Sequence, residues 1–141
     1  MPGFDAKDLR RAMALKDAQM AAEAQRKRDA ADKEEKKRRD AFFSGEIKQQ
    51  DYDRLWTRLQ SAAEDGRTEL LIGQFPSAWC TDRGRAINNN DPDWRDTLQG
   101  IAKTFVDYYE SELRSRGFKL RLEVISFPGG MPGDVGAYLS W

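Results

Sequence analysis

The residues of this chain best suited to chemistry gather between Ser77 and Asn90, where Cys80, Asp82, Arg83, Arg85, Asn88, Asn89 and Asn90 follow one another closely. Two arginines around Gly84 suit an anion, because a guanidinium presents paired donors to a phosphate or carboxylate. A helix opening at Asp91-Pro92 would bring its free N–H groups and positive dipole end to the same place. Arg83, Arg85, Asn88 and Asn89, together with Gly129 and Gly130 of a later turn, are therefore the expected ligand-binding set. The same residues also have a purely structural use. Asp82 can neutralise either arginine, the asparagine run can close a turn, and Trp79 can plug a sheet edge.

Cys80 beside two arginines raises the question of an activated thiolate. A Cys-x5-Arg phosphate loop would need arginine at position 86, where Ala86 stands, and the chain contains no histidine to serve as base. A buried, inert thiol is the expectation. Asp91, Asp93 and Asp96 fall within one helical turn and are accounted for by capping and the helix dipole. The glycines at 129, 130 and 133 make no nucleotide fingerprint, since no glycine-rich turn leads from a strand straight into a helix. No catalytic residue is assigned. With no histidine and a single cysteine, imidazole metal sites and a disulfide framework are excluded, and no metal and no cofactor is expected. No apolar leader core or membrane-length run occurs, so the expected setting is cytoplasmic, with no membrane partner.

The elements that would position this corner can be read from periodicity. Trp94, Leu98, Ile101, Ala102, Phe105, Tyr108, Tyr109 and Leu113 recur at three- and four-residue steps, which predicts one amphipathic helix over 92–116. Arg114 and Arg116 suit its negative end, and Gly117 suits a left-handed cap with Phe118 folding back. Before it, Thr68 to Phe75 reads as a strand whose nearly continuous apolar run suggests cover on both faces. After it, Leu120, Leu122 and Val124 share one face while Ile125 and Phe127 turn to the other, which suggests a bulge or strand end near Val124. Val135, Ala137, Leu139 and Trp141 alternate as a last strand.

The order is βαββ. The expected fold is α+β: a small three-stranded mixed sheet covered by helices, its first two strands forming a right-handed parallel pair and its third returning as a hairpin. Phe75-Pro76 and Phe127-Pro128 would then end the parallel strands at one edge, and ligands of open α/β sheets bind at such carboxyl ends. A further helix over about 49–64 carries Tyr52, Leu55, Trp56, Leu59, Ala62 and Ala63 on one side and stops at Gly66.

Residues 1–40 differ from the rest. They hold twelve Lys or Arg against nine Asp or Glu, a net of +3, whereas residues 41–141 hold twelve against fifteen, a net of −3. With no Gly or Pro between Asp5 and Asp40, they predict an extended charged helix, or a partly disordered arm, laced by acid-to-base pairs four residues apart from Glu23–Lys27 to Glu35–Arg39. Residues 41–141 are the expected compact domain. Leu9, Met13, Met20 and Ala24 form a short seam that ends at Lys27. Leu9, Met13 and Met20, with the basic run Lys36, Lys37, Arg38 and Arg39, are the expected partner-binding residues.

Gly45-Glu46-Ile47 followed by Asp51-Tyr52-Asp53-Arg54-Leu55 resembles, over some twenty residues, the short helical oligomerisation segments often called SHOCT. The same helix also reads as one that packs on the sheet. The expected function is that of a non-enzymatic interaction or regulatory protein engaging a protein partner or a second copy through its N-terminal helix. The alternatives are a small anion- or ligand-binding domain and electrostatic nucleic-acid binding by the basic run, the latter with steep salt dependence.

Overall fold

A computed structural model describes residues 3–141. The chain divides at Asp40/Ala41 into two compact units. The first consists of most of helix α1 (Ala6–Phe43). Asp5 caps it, accepting the Lys7 N–H at 2.9 Å. Every residue of the unit from 3 to 40 is exposed. Glu23 and Lys27 stand 3.9 Å apart, while Arg38 turns to Glu35 at 3.4 Å rather than to Glu34. Exposed pairs of this kind add only about 0.3–0.5 kcal/mol each.

The second unit opens with the last turn of α1 and continues through α2 (Gln49–Glu64) to strand β1 (Glu69–Pro76). Next come a one-turn helix α3 (Arg85–Asn88), helix α4 (Gly100–Tyr108), and strands β2 (Lys119–Val124) and β3 (Asp134–Ser140). Asp51 accepts the Lys48 N–H at 2.9 Å where α2 begins, and Gly66, at φ +81°, ends it. There the N–H groups of Gly66 and Arg67 return to the carbonyls of Ala63 and Ala62.

The α+β class holds, but the sheet is antiparallel throughout, with order β1-β3-β2. The expected parallel pair does not form, because the last strand inserts between the first two. The reason lies in burial. Val135 and Leu139 of β3 are completely enclosed, which only a central strand permits, whereas β2 alternates Lys119, Arg121 and Glu123 outward as an edge strand does. β1 and β2 still run in the same direction, so their carboxyl ends meet at one end of the sheet.

β1 is likewise an edge strand and is not covered on both faces. Its pairing with β3 skips Ile72 between Leu71 and Gly73, a bulge that shifts the phase of alternation. Leu70 before the bulge, Ile72 at it and Phe75 after it therefore all reach the core. Arg58 of α2 donates to the carbonyls of Leu71 and Ile72 at 2.8 and 3.2 Å, which occupies part of the free edge at this point.

The single helix expected over 92–116 is broken. Trp94–Thr97 form a 3-10 turn, Leu98 and Gln99 are extended, and α4 starts at Gly100 with φ +57°. Two long-range hydrogen bonds replace the helical ones: Thr81 N–H donates to the Thr97 carbonyl at 2.9 Å, and Gln99 Nε2 to the Trp79 carbonyl at 3.0 Å. α4 then widens into a π turn over Tyr109–Leu113, with the buried Tyr109 hydroxyl donating to the Phe118 carbonyl at 2.9 Å. The far end is as expected: Gly117 has φ +94°, and the Phe118 N–H reaches back to the Leu113 carbonyl.

The core lies on one face of the sheet. Phe42, Phe75, Ile87, Leu98, Val106 and Val135 form one cluster, and Leu59, Tyr109 and Leu139 a second, with Leu120 packed against both. Phe42 stacks within 5.2 Å of Phe75 and 4.7 Å of Trp79. Strand β2 ends at Val124, and Ile125 crosses to the opposite face, where it lies over Gly136 beside Leu71 and Tyr138.

Candidate functional site

The corner at the carboxyl ends of β1 and β2 is assembled around Ser77. Its N–H donates to the Gly133 carbonyl at 2.8 Å and its hydroxyl to the Pro132 carbonyl at 3.0 Å, which ties the end of β1 to the Phe127–Gly133 turn. On its other side lies Gly84, where a Cβ would stand 2.9 Å from the Ser77 Cβ. Gly84 also has φ +82°, so a side chain is excluded there by both conformation and space. The loop bearing Arg83 and Arg85 and the turn bearing Gly129 and Gly130 therefore share one end of the sheet.

The polar groups within this corner are largely committed to the loop itself. Asp82 accepts the N–H groups of Gly84 at 3.0 Å and Ala86 at 2.8 Å, so its carboxylate sits where an anion would take those donors. It makes no ion pair with Arg83 or Arg85. Both arginines are exposed, and among the described residues neither has an acidic partner. Asn88, Asn89 and Asn90 are exposed at the end of α3, with Asn90 at φ +53°, and Gly129 and Gly130 lie on the open surface with φ of +62° and +79°. Asp91 accepts the Asp93 N–H at 3.1 Å and so closes a turn rather than starting the long helix.

Cys80 is buried, and burial together with the nearby Asp82 charge pushes its thiol up to about 11. A thiol so raised is almost wholly protonated at neutral pH and is a poor nucleophile. Trp79 packs on Phe42 and Phe43 as part of the wall above the sheet end.

The open face of the sheet does not have the character of an RNA-reading surface, which needs aromatic side chains with basic neighbours. Tyr138 is covered by the Arg121 guanidinium at 4.3 Å, and Arg121 is held in turn by Glu69 at 2.9 Å and by Glu123.

Periodicity did not single out a second feature. α2 and the π turn enclose a groove of about 350 Å³ lined by Tyr52, Leu55, Trp56, Leu59, Leu113 and Phe118, with Asp53 and Arg116 at its rim. Trp56 belongs to the apolar stripe of α2, yet it is 55 % exposed. The tyrosine rings of Tyr52 and Tyr108 lie 4.4 Å apart on one wall, and burial, then Tyr108 and Asp51, raise the pKa of Tyr52. The sequence did carry one signal: Trp56 adds a second aromatic to an α2 stripe already supplied with Tyr52, Leu55 and Leu59, more than one small sheet can cover.

In the first unit, Leu9, Met13 and Met20 are 70, 66 and 61 % exposed, with Leu15 at 62 %. Lys36, Lys37, Arg38 and Arg39 are exposed too, with acids interleaved among them. Among the described residues, no helix is long and apolar enough to cross a membrane. No protein-family model, curated protein or solved structure matches this chain.

Proposed function

We propose that the protein is a non-enzymatic interaction protein whose N-terminal helix engages a protein partner or a second copy of the chain. One observation carries this reading: residues 6–40 form a helix whose every side chain is exposed, including four large apolar ones between 61 and 70 %. A helix of this kind has no core of its own to pack against, and ion pairs of a few tenths of a kcal/mol do little to hold it. Burying Leu9, Met13 and Met20 on a partner would contribute about 1.5–3 kcal/mol each. For two arms that sum is comparable with the roughly 4–15 kcal/mol that association itself costs, which suits a reversible contact. A lone buried thiol with no disulfide to maintain fits a reducing compartment such as the cytoplasm.

The test is sedimentation and pull-down with the full chain and with a chain beginning near Phe42. The full chain is expected to associate with itself or with a partner, and the shortened chain to lose that association. Identical mass and identical captured partners for the two would sink the proposal.

A second reading is kept alive by the two arginines at the Ser77 corner, exposed and without acidic partners among the described residues. It predicts that phosphate or a carboxylate raises the melting temperature of the wild type but not of the Arg83→Ala, Arg85→Ala double variant.

A further inference from the structure

We infer that the groove between α2 and the π turn receives residues 9–20 of α1 from a second copy of the chain. This rests on the reading of α1 as an interaction element and names its counterpart. The groove suits apolar side chains: its walls are mostly aromatic and aliphatic, it offers about 350 Å³, and Trp56, one of its lining residues, is 55 % exposed. The helix widens into a π turn at Tyr109–Leu113, where Tyr109 is buried and Leu113, with Phe118 beyond it, lines the groove together with α2.

The occupant is identified by pattern and by charge. Leu9 and Met13 lie one helical turn apart, the spacing at which an amphipathic helix presents anchors to an apolar groove. Tyr52 and Trp56, like Leu55 and Leu59, repeat the same four-residue step along α2, so ridges of equal pitch face one another. Residues 7–20 carry Lys7, Arg10, Arg11 and Lys16 against Asp8 and Asp17, a net of +2. Of the charged residues that line the groove, Asp53 and Arg116 offset one another, and the acidic side is the α2 wall, where residues 49–56 carry Asp51 and Asp53 against Arg54, a net of −1. The same opposition holds at large scale, +3 in residues 1–40 and −3 in residues 41–141, and steers unlike regions of two copies together. Pairing of arm with arm offers less. Like charge meets like, and the seam has too few apolar positions for a coiled coil.

Sedimentation of the full chain over a concentration series tests the inference through two separate lesions. Leu9→Glu with Met13→Glu removes the anchors and leaves the groove intact. Trp56→Glu damages the groove at an exposed position and leaves the arm intact. Each is expected to weaken self-association by about tenfold or more. Far-UV circular dichroism should show the helices retained in both. Mixed in equal amounts, the two variants are expected to form a one-to-one heterodimer, because one still has a sound groove and the other a sound arm. Undiminished self-association of Trp56→Glu would overturn the groove as the docking site while leaving the arm as an interaction element. A wild type that stays monomeric throughout the series would overturn the second copy as occupant, and pull-down against the shortened chain would then decide separately whether the arm has another partner. Failure of the mixed variants to pair would also overturn the inference.

Discussion

Replacing Gly100 by alanine should destabilise the domain more than any other single glycine-to-alanine change outside the Ser77 corner. Gly100 begins α4 with φ +57°, and a Cβ there would overlap the Phe42 carbonyl oxygen and lie 2.9 Å from the Phe42 ring. Two terms add. A left-handed conformation costs an L-residue about 1–2 kcal/mol. Relieving an overlap with backbone, which cannot swing aside as a long side chain can, costs about 1–3 kcal/mol more. The sum of about 2–5 kcal/mol is a large share of the roughly 5–15 kcal/mol available to a domain of this size. Urea unfolding followed by tryptophan fluorescence suits the measurement, because all four tryptophans, at 56, 79, 94 and 141, lie in the second unit. With a slope of about 2 kcal/mol per molar urea, the midpoint should fall by about 1–2.5 M. Gly129→Ala is the matched control: its φ is +62°, but nothing lies within 4 Å of the new methyl, so only the conformational term applies. If Gly100→Ala is no more destabilising than Gly129→Ala, the close approach of α4 to Phe42 is not a determinant of the fold.

Two further expectations follow from contacts at β1 and Cys80. Arg58→Ala removes both hydrogen bonds to the bulged edge of β1 and should lower stability by about 1 kcal/mol, a fall of about 5 °C in Tm; Arg58→Lys should recover only part of it, since one ammonium does not match the two-pronged contact. Cys80 has its thiol raised from 9.0 to about 11, so the folded state holds its proton where the unfolded state releases it. Its contribution is complete below pH 9 and is lost between about pH 9 and 11, amounting to about 2–3 kcal/mol. The difference in stability between wild type and Cys80→Ala should therefore shrink across that window, and a difference independent of pH would refute it.

What could be read from the sequence was whatever local chemistry dictates. The bounds of α2 and the glycine caps at Gly66 and Gly117 each depend on residues within a few positions, and the structure has them where the pattern placed them. Where the structure departs from the local pattern, the cause lies in partners distant in sequence. The stripe from Trp94 to Leu113 has helical spacing, yet residues 97–99 bond instead to the 79–81 loop, and only Gly100 in the middle of the stripe hinted at a break. The apolar run in β1 suggested two covered faces because a bulge, which periodicity cannot locate, returns Phe75 to the face already used by Leu70 and Ile72. Strand order turned on which strand buries most, and β3 reads as an ordinary alternating strand until Val135 and Leu139 are seen fully enclosed.

The candidate sites divide along the same line. At the Ser77 corner, Phe75-Pro76 does end β1, whereas β2 stops at Val124 and Phe127-Pro128 lies in the turn beyond it; the loop and the turn still share one end of the sheet, because β1 and β2 flank β3 and run the same way. The groove exists only where α2 meets a π turn that no local pattern encodes. An aromatic stripe wider than the surface that can cover it leaves a residue exposed, and this protein leaves that residue, Trp56, in the lining of an apolar groove, while a helix elsewhere in the same sequence carries apolar side chains with no cover of their own.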